Sequence, residues 1–297
     1  MYCIILLAGC QKGIDHRVPD ILGTEGKLPD SVSVSLISAL PNELKESSGL
    51  CYTDGALWSF GDSGNRNAIY KIDTATGAIL QTVTIGNYLD IDWEDITADA
   101  DYIYIGDVGN NLGFRKDLKI LRIKKSDLTS NAAQLSVHAD AINYSYTDQR
   151  DFSFNTSTNF DCEALTAIGD SLYLFSKDAV DSFTRCYSLT KQPGTYAVSP
   201  IATFNIQGRI TAAAYNNNTK ELALLGYLNN TQASFIWFFD NYTGTNFFAG
   251  SLRKFIIGTT TADWQTEALE YVSANRLMMS CETSTSQVAS LYYVQTH

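Results

Sequence analysis

From residue 31 onward, short apolar runs alternate with polar positions at period two, and no stretch sustains the 3.6-residue period of an amphipathic helix. KESSG and KKSDLTS are turns at best. The runs fall into groups. GLCY, ALWSFGD, AIYKID and AILQTVTI are followed by DITAD, YIYIGD, LKILRI and DAINYSY, then by EALTAI, SLYLFSK, TRCYSL and PIATFNI, then by ITAAAY, ELALLGY, SFIWFF and LRKFII. Turn residues such as Asn216-Asn217-Asn218 separate them, so each run predicts a strand and each group a four-stranded antiparallel sheet.

Every group opens on the same short pattern: Glu46-Ser47-Ser48-Gly49-Leu50, Asp92-Trp93-Glu94-Asp95-Ile96, Asp161-Cys162-Glu163-Ala164-Leu165, Arg209-Ile210-Thr211-Ala212-Ala213 and Gln265-Thr266-Glu267-Ala268-Leu269. Aligned on Ser48, Glu94, Glu163, Thr211 and Glu267, the copies are 46, 69, 48 and 56 residues apart. Four strands per step of this size is the arithmetic of a β-propeller blade. The fifth copy has only EALEYV, RLMMSC and ASLYYV before the chain ends, and the alternating segment after Ser31 supplies the missing strand. The expectation is an all-β, five-bladed β-propeller over residues 31–297, with four-stranded antiparallel blades and an N-terminal strand (31–38) completing the last blade. The long step is assigned to a loop, QRDFSFNTSTNF (149–160), rather than to a hidden sixth blade.

The first ten residues, MYCIILLAGC, are apolar and end in Leu7-Ala8-Gly9-Cys10 before polar QKG. This resembles a bacterial lipobox, which implies that Cys10 is lipidated and that 1–10 is a processing signal. The run is short and lacks a basic start, which points to an initiation site upstream; a buried N-terminal strand is the alternative. Residues 11–30, with Gly13, Pro19, Gly23, Gly26 and Pro29, read as a tether. The expected place is the cell envelope, as an outer-membrane lipoprotein facing periplasm or exterior and held to the membrane by its lipid. Cys51, Cys162, Cys186 and Cys281 lie in strand-like apolar runs and are expected as free buried thiols.

Charge and composition narrow the chemistry. With 32 acidic against 21 basic residues and a net charge of −11, a nucleic-acid partner is excluded. Three His leave little for zinc or histidine catalysis, and GDSG around Ser63 has no triad partner in His16, His138 or His297. The first strand of a blade lines the central channel, where residues two apart point the same way. Glu46, Asp92, Glu94, Asp161, Glu163 and Glu267 then converge, with Arg209 offsetting one charge. Two such charges about 4 Å apart repel by about 4 kcal/mol at an effective dielectric near 20, so the column calls for protons or a cation. Oxygen ligands alone fit Ca²⁺ first and Mg²⁺ second. Glu94, Glu163 and Glu267 are the leading metal candidates, followed by Asp92, Asp161 and Glu46. Capping of backbone N–H groups on neighbouring blades is the competing role.

A second column, Asp62, Asp107, Lys177, Tyr227 and Glu282, ends the second strands near one mouth, with Asn65, Arg66, Asn110, Arg115 and Asp178 close by. Turn chemistry explains part of it. As catalytic candidates, Arg66, Arg115 or Lys177 would stabilise developing negative charge and Asp107 or Glu282 would act as base. Trp58, Trp93, Trp237, Phe238 and Trp264 are expected between blades, with Trp93 and Trp264 near enough to the column to face a ligand.

The motifs ESSGL, DWEDIT, DCEALT, RITAAAY and QTEALEY resemble those of the SdiA-regulated family of bacterial propellers and the related esterase-like, phytase-like propeller domains, over about residues 40–297. LWSFGDSGN and YIYIGDVGNN are similar to a group of secreted or lipid-anchored proteins common in Bacteroidetes. The resemblance implies a five-bladed or similar ring with calcium near the axis, here on Glu94, Glu163 and Glu267. The leading functional expectation is an exported, cation-stabilised monomer that binds a glycan, a small anionic ligand or an envelope protein. A metal-assisted phosphoesterase is the alternative and a glycosidase the third reading; whether the protein is an enzyme is left open.

Overall fold

A computed structural model describes residues 28–229, 231, 233–258 and 264–297. The lipobox with Cys10, and the tether up to residue 27, lie outside the described residues. The alternating runs form five sheets arranged as blades. Blade one consists of Ser47–Thr53, Ala56–Gly61, Ala68–Ile72 and Ile79–Ile85, joined in order. Its first hairpin closes on Asp54-Gly55, with φ of 51° and 74°, the left-handed pair that a two-residue turn between twisted strands requires.

Blade two is Trp93–Ala98, Tyr102–Asp107, Lys119–Lys124 and Asp140–Tyr146. Blade three is Cys162–Ile168, Ser171–Ser176, Thr184–Thr190 and Pro200–Phe204. Blade four is Arg209–Asn216, Glu221–Tyr227, Ser234–Asp240 and Ser251–Ile256. Thr266–Ser273, Arg276–Cys281 and Ser290–Thr296 make three strands of blade five, and Val32–Ala39 pairs antiparallel with the last of them. Each inner strand lies beside the next around the ring, and the first meets the fifth. The five-bladed ring closed by the N-terminal strand is therefore the observed fold.

Two strands fall outside the four-strand expectation. Gln134–Val137 adds in parallel to the outer strand of blade one, and Gly194–Val198 adds in parallel to the outer strand of blade two. Each is a detour of the following blade's chain that covers its predecessor's open edge. The first detour, with the irregular 147–161 segment, accounts for the 69-residue step.

The core is divided among the blade interfaces. Phe60 and Trp93 meet edge to face at 5.7 Å between blades one and two, Tyr146 and Tyr187 at 4.7 Å between two and three. Equivalent clusters join three to four through Phe175 and Phe235, four to five through Phe238 and Met279, and five to one through Met278 and Tyr70. Trp93 is thus fully buried in an interblade core and presents no face to the channel. Leu28, at the end of the tether, packs into the interface of blades four and five. Cys51, Cys162, Cys186 and Cys281 are buried free thiols.

Around the axis, side chains tie inner strands together. Asp95 Oδ2 accepts from Leu165 N of blade three at 2.8 Å and from Ala213 N of blade four at 3.4 Å, while Thr97 Oγ1 accepts from Ala167 N at 3.2 Å. Ser48 Oγ donates to Glu94 O at 2.8 Å, and Thr211 Oγ1 to Thr266 O at 2.7 Å.

Candidate functional site

The inner strands share an irregularity at one position. The ladder skips a residue between Ser47 and Gly49, Trp93 and Asp95, Cys162 and Ala164, Ile210 and Ala212, and Thr266 and Ala268. The skipped residues are Ser48, Glu94, Glu163, Thr211 and Glu267, the repeated column itself. A bulge frees its residue from the pleat and re-aims the side chain. The hydroxyls of Ser48 and Thr211 then tie down a neighbouring blade, while the three glutamates are left at the channel mouth.

Asp62, Asp92 and Glu94 bring carboxylate oxygens within 4.8 Å of one another, and so do Glu94, Asp161 and Glu163. Glu94 belongs to both groups. Gly109 forms part of the cradle, because a β-carbon there would run into the carboxylates of both Glu94 and Asp92. The next residue, Asn110, donates its backbone N–H to Asp161 Oδ1 at 2.7 Å, so one loop of blade two shapes both groups. Asp90, two residues before Asp92, is buried; its Oδ1 accepts from Trp93 N at 3.2 Å, and its Oδ2 has no donor.

These carboxylates strain against one another. Burial, then the charges of Glu163, Asp62 and Asp161, push Glu94 well above the usual carboxylate range. Burial does the same for Glu163, although Lys177 works in the other direction. Asp92 is pushed to about 6 by burial and by Asp62 and Asp161, and Glu267 to about 7 by burial. Lys177 Nζ is ion-paired to Glu163 and lies 5.4 Å from the Tyr227 ring centre. Burial opposes its charge, but Glu163 and Glu267 outweigh that and hold its pKa well above the ordinary lysine value. Lys177 therefore neutralises the blade three and five side of the mouth and leaves Asp62, Asp92 and Glu94 as the unbalanced side.

The remaining candidates are placed as follows. Glu282 stands on the mouth and is pushed to about 8 by burial, Glu267 and Asp62. Glu46 is on the rim, accepting from Asn65 Nδ2 at 2.7 Å with Lys45 at 3.8 Å. Arg209 donates to Asn229 Oδ1 at 3.1 Å. Arg66 is exposed on the flank of blade one and reaches Thr84 Oγ1 at 3.1 Å.

Asp107 is the instructive departure. Gly61 pairs with Ser47 and Ser176 with Cys162, so Asp62 and Lys177 lie one step beyond the ladder; in blade two it is Asp107 that pairs with Trp93. The structural column is Asp62, Val108, Lys177, Tyr227 and Glu282. One step along a strand reverses the face, and Asp107 points away, held by Arg115 Nη2 at 2.8 Å and Lys119 Nζ at 2.9 Å. Arg115 also donates to Gly109 O at 2.9 Å and Asp117 Oδ1 at 3.1 Å. Asp107 and Arg115 thus neutralise each other and brace the loop under the site. Asp62 is the cluster member that the sequence assigned to the mouth and not to the metal.

No known protein family and no curated protein matches the chain. Solved structures similar to it include a chain of the mitotic checkpoint complex, at 12% identity and a TM-score of 0.39, covering 84% of this chain and 61% of that one. A chain of a nidogen/laminin complex aligns at 10% identity and 0.45, covering 89% and 98%. The Cps50 (Swd1) β-propeller domain of Myceliophteria thermophila aligns at 10% and 0.40, covering 84% of each. At such identity and TM-score these alignments carry no inference, and the site is read from this chain's own residues.

Proposed function

We propose that the ring is a cation-dependent binding protein whose acidic mouth holds one divalent ion, Ca²⁺ before Mg²⁺, on Asp62, Asp92, Glu94 and Asp161. The observation that carries the reading is the convergence of buried and half-buried carboxylates on Glu94 over a glycine that leaves room for them. The all-oxygen donor set and the donorless Asp90 Oδ2 nearby fit a hard cation. Glu163 and Glu267 lie toward Lys177, so the ion belongs off the axis, toward blades one and two. Bound there, the ion would supply a positive seat for an anionic or hydroxyl-bearing ligand, such as an acidic glycan or an envelope protein's carboxylate.

The binding reading stands ahead of a hydrolase because Asp107 and Arg115 satisfy each other below the mouth. The lipobox-like run at Cys10 and the resemblance to SdiA-regulated and phytase-like propellers support an exported, lipid-anchored setting in a bacterial envelope. The test is thermal unfolding with calcium and with chelator, together with metal analysis after dialysis. Calcium should raise Tm and be retained near one per chain, and Glu94→Gln should remove both effects. A saturated protein that retains no metal overturns the proposal.

A further inference from the structure

Glu221 and Asp240 face each other across two strands of blade four, one step beyond the paired Leu222 and Phe239. Both side chains point to the side on which Ala223 and Phe238 pack against blade five. Like charges in facing positions of a strand pair destabilise it. This pair is also buried, Glu221 to 8% exposure and Asp240 to 2%. Glu221 Oε1 accepts from Tyr271 Oη, and Asp240 Oδ1 from Asn241 Nδ2 at 3.2 Å, but Asp240 Oδ2 has no donor among the described residues. Arg253, whose charge bears on Asp240, donates instead to Pro29 O at 2.5 Å and Asp30 Oδ1 at 3.0 Å. Both carboxylates line a hollow of about 280 Å³ between blades four and five, with Thr219, Asn275 and Thr296 also on its walls. Thr219 and Asn275 sit in first hairpins of their blades, so the hollow opens on the face opposite the acidic mouth.

We propose that this hollow is a second cation seat, holding a hydrated Mg²⁺ between Asp240 Oδ2 and Glu221. A buried carboxylate oxygen with no donor calls for a proton or a cation, and a second carboxylate directly opposite makes the cation the better counterpart above neutral pH. Two carboxylates beside room for several waters match the way Mg²⁺ is bound, whereas Ca²⁺ takes about six to eight oxygens with more of them from the protein. No residue of this seat belongs to the acidic column, so it is independent of the one at the mouth. Held largely through water, its ion would exchange during dialysis.

The probe is Mn²⁺, which takes the same octahedral oxygen shell. It is titrated into the Glu94→Gln chain, whose mouth is disabled, and the free ion is followed by electron paramagnetic resonance. The pH is 8, above the values of about 7 and about 6 to which burial pushes Glu221 and Asp240. Binding near one per chain is expected, competed by Mg²⁺ and weakened roughly tenfold when Asp240→Asn or Glu221→Gln is added. Bound Mn²⁺ should broaden the amide signals of Thr219 and Asn275 and spare Gly109 at the mouth. That broadening needs no further substitution, so it decides the matter even if a carboxylate variant fails to fold. No uptake, which would leave a shared proton holding the pair, uptake unchanged by either substitution, or broadening at the mouth alone would each overturn the assignment.

Discussion

Gly109 lies against the carboxylate of Glu94 so closely that any side chain at this position would displace it. Gly109→Ala is therefore expected to separate Glu94 and Asp92 and abolish the calcium-induced rise in Tm. In chelator the variant should lose about 1–3 kcal/mol, the cost of overpacking. Thermal scans with and without calcium measure both effects.

Lys177 and a divalent ion compete for the same negative field. Lys177→Met removes the ammonium paired with Glu163. In chelator this variant should be less stable than the parent, since its buried carboxylates lose their counter-charge. In calcium it should bind the ion more tightly, by roughly tenfold or more, because a like charge near the seat is gone. Calorimetric titration checks the direction; an unchanged affinity would place the ion elsewhere.

Arg115 and Asp107 make a buried pair at 2.8 Å, with 8% and 1% of their side chains exposed. Arg115→Ala leaves Asp107 with Lys119 as its one remaining counter-charge, so it should be destabilising but by less than the roughly 3–5 kcal/mol of a wholly uncompensated buried charge. Urea unfolding reads this directly. A catalytic Arg115 would instead leave stability intact.

A pH dependence arises away from the acidic mouth. Glu221, which accepts from Tyr271 Oη at 2.5 Å, is pushed by burial from 4.5 to about 7. A carboxyl raised in the folded state contributes stability that is full below its unfolded pKa and lost as pH rises through the folded one. Stability in chelator should thus decline between about pH 4.5 and 7, by roughly 2–3 kcal/mol for this group. Glu221→Gln should flatten the slope measured by urea unfolding.

The blades were legible because their strands are local: alternation and turns such as Asp54-Gly55 report on neighbours in sequence. Gln134–Val137 was not, since its four residues pair in parallel with a strand some fifty residues earlier. The acidic column was visible as a repeat, although the bulge that aims it is a property of two strands in register. FGDSGN and IGDVGNN look alike, yet Asp62 lies past the ladder and Asp107 within it. Only the pairing partner separates those two aspartates, and a linear motif contains no record of it. Asp95 shows the same limit: adjacent to Glu94 in sequence, it serves as the acceptor that links blades two, three and four.

The strand Val32–Ala39 finds its partner in Ser290–Thr296. During synthesis this partner emerges about 250 residues later, after roughly tens of seconds at ordinary elongation rates. Until then the earliest strand waits with both edges unsatisfied, and the nascent ring stays an open arc. Closure must therefore follow the making of the blades between them, and loss of Ser290–Thr296 would leave Val32–Ala39 without a place to dock.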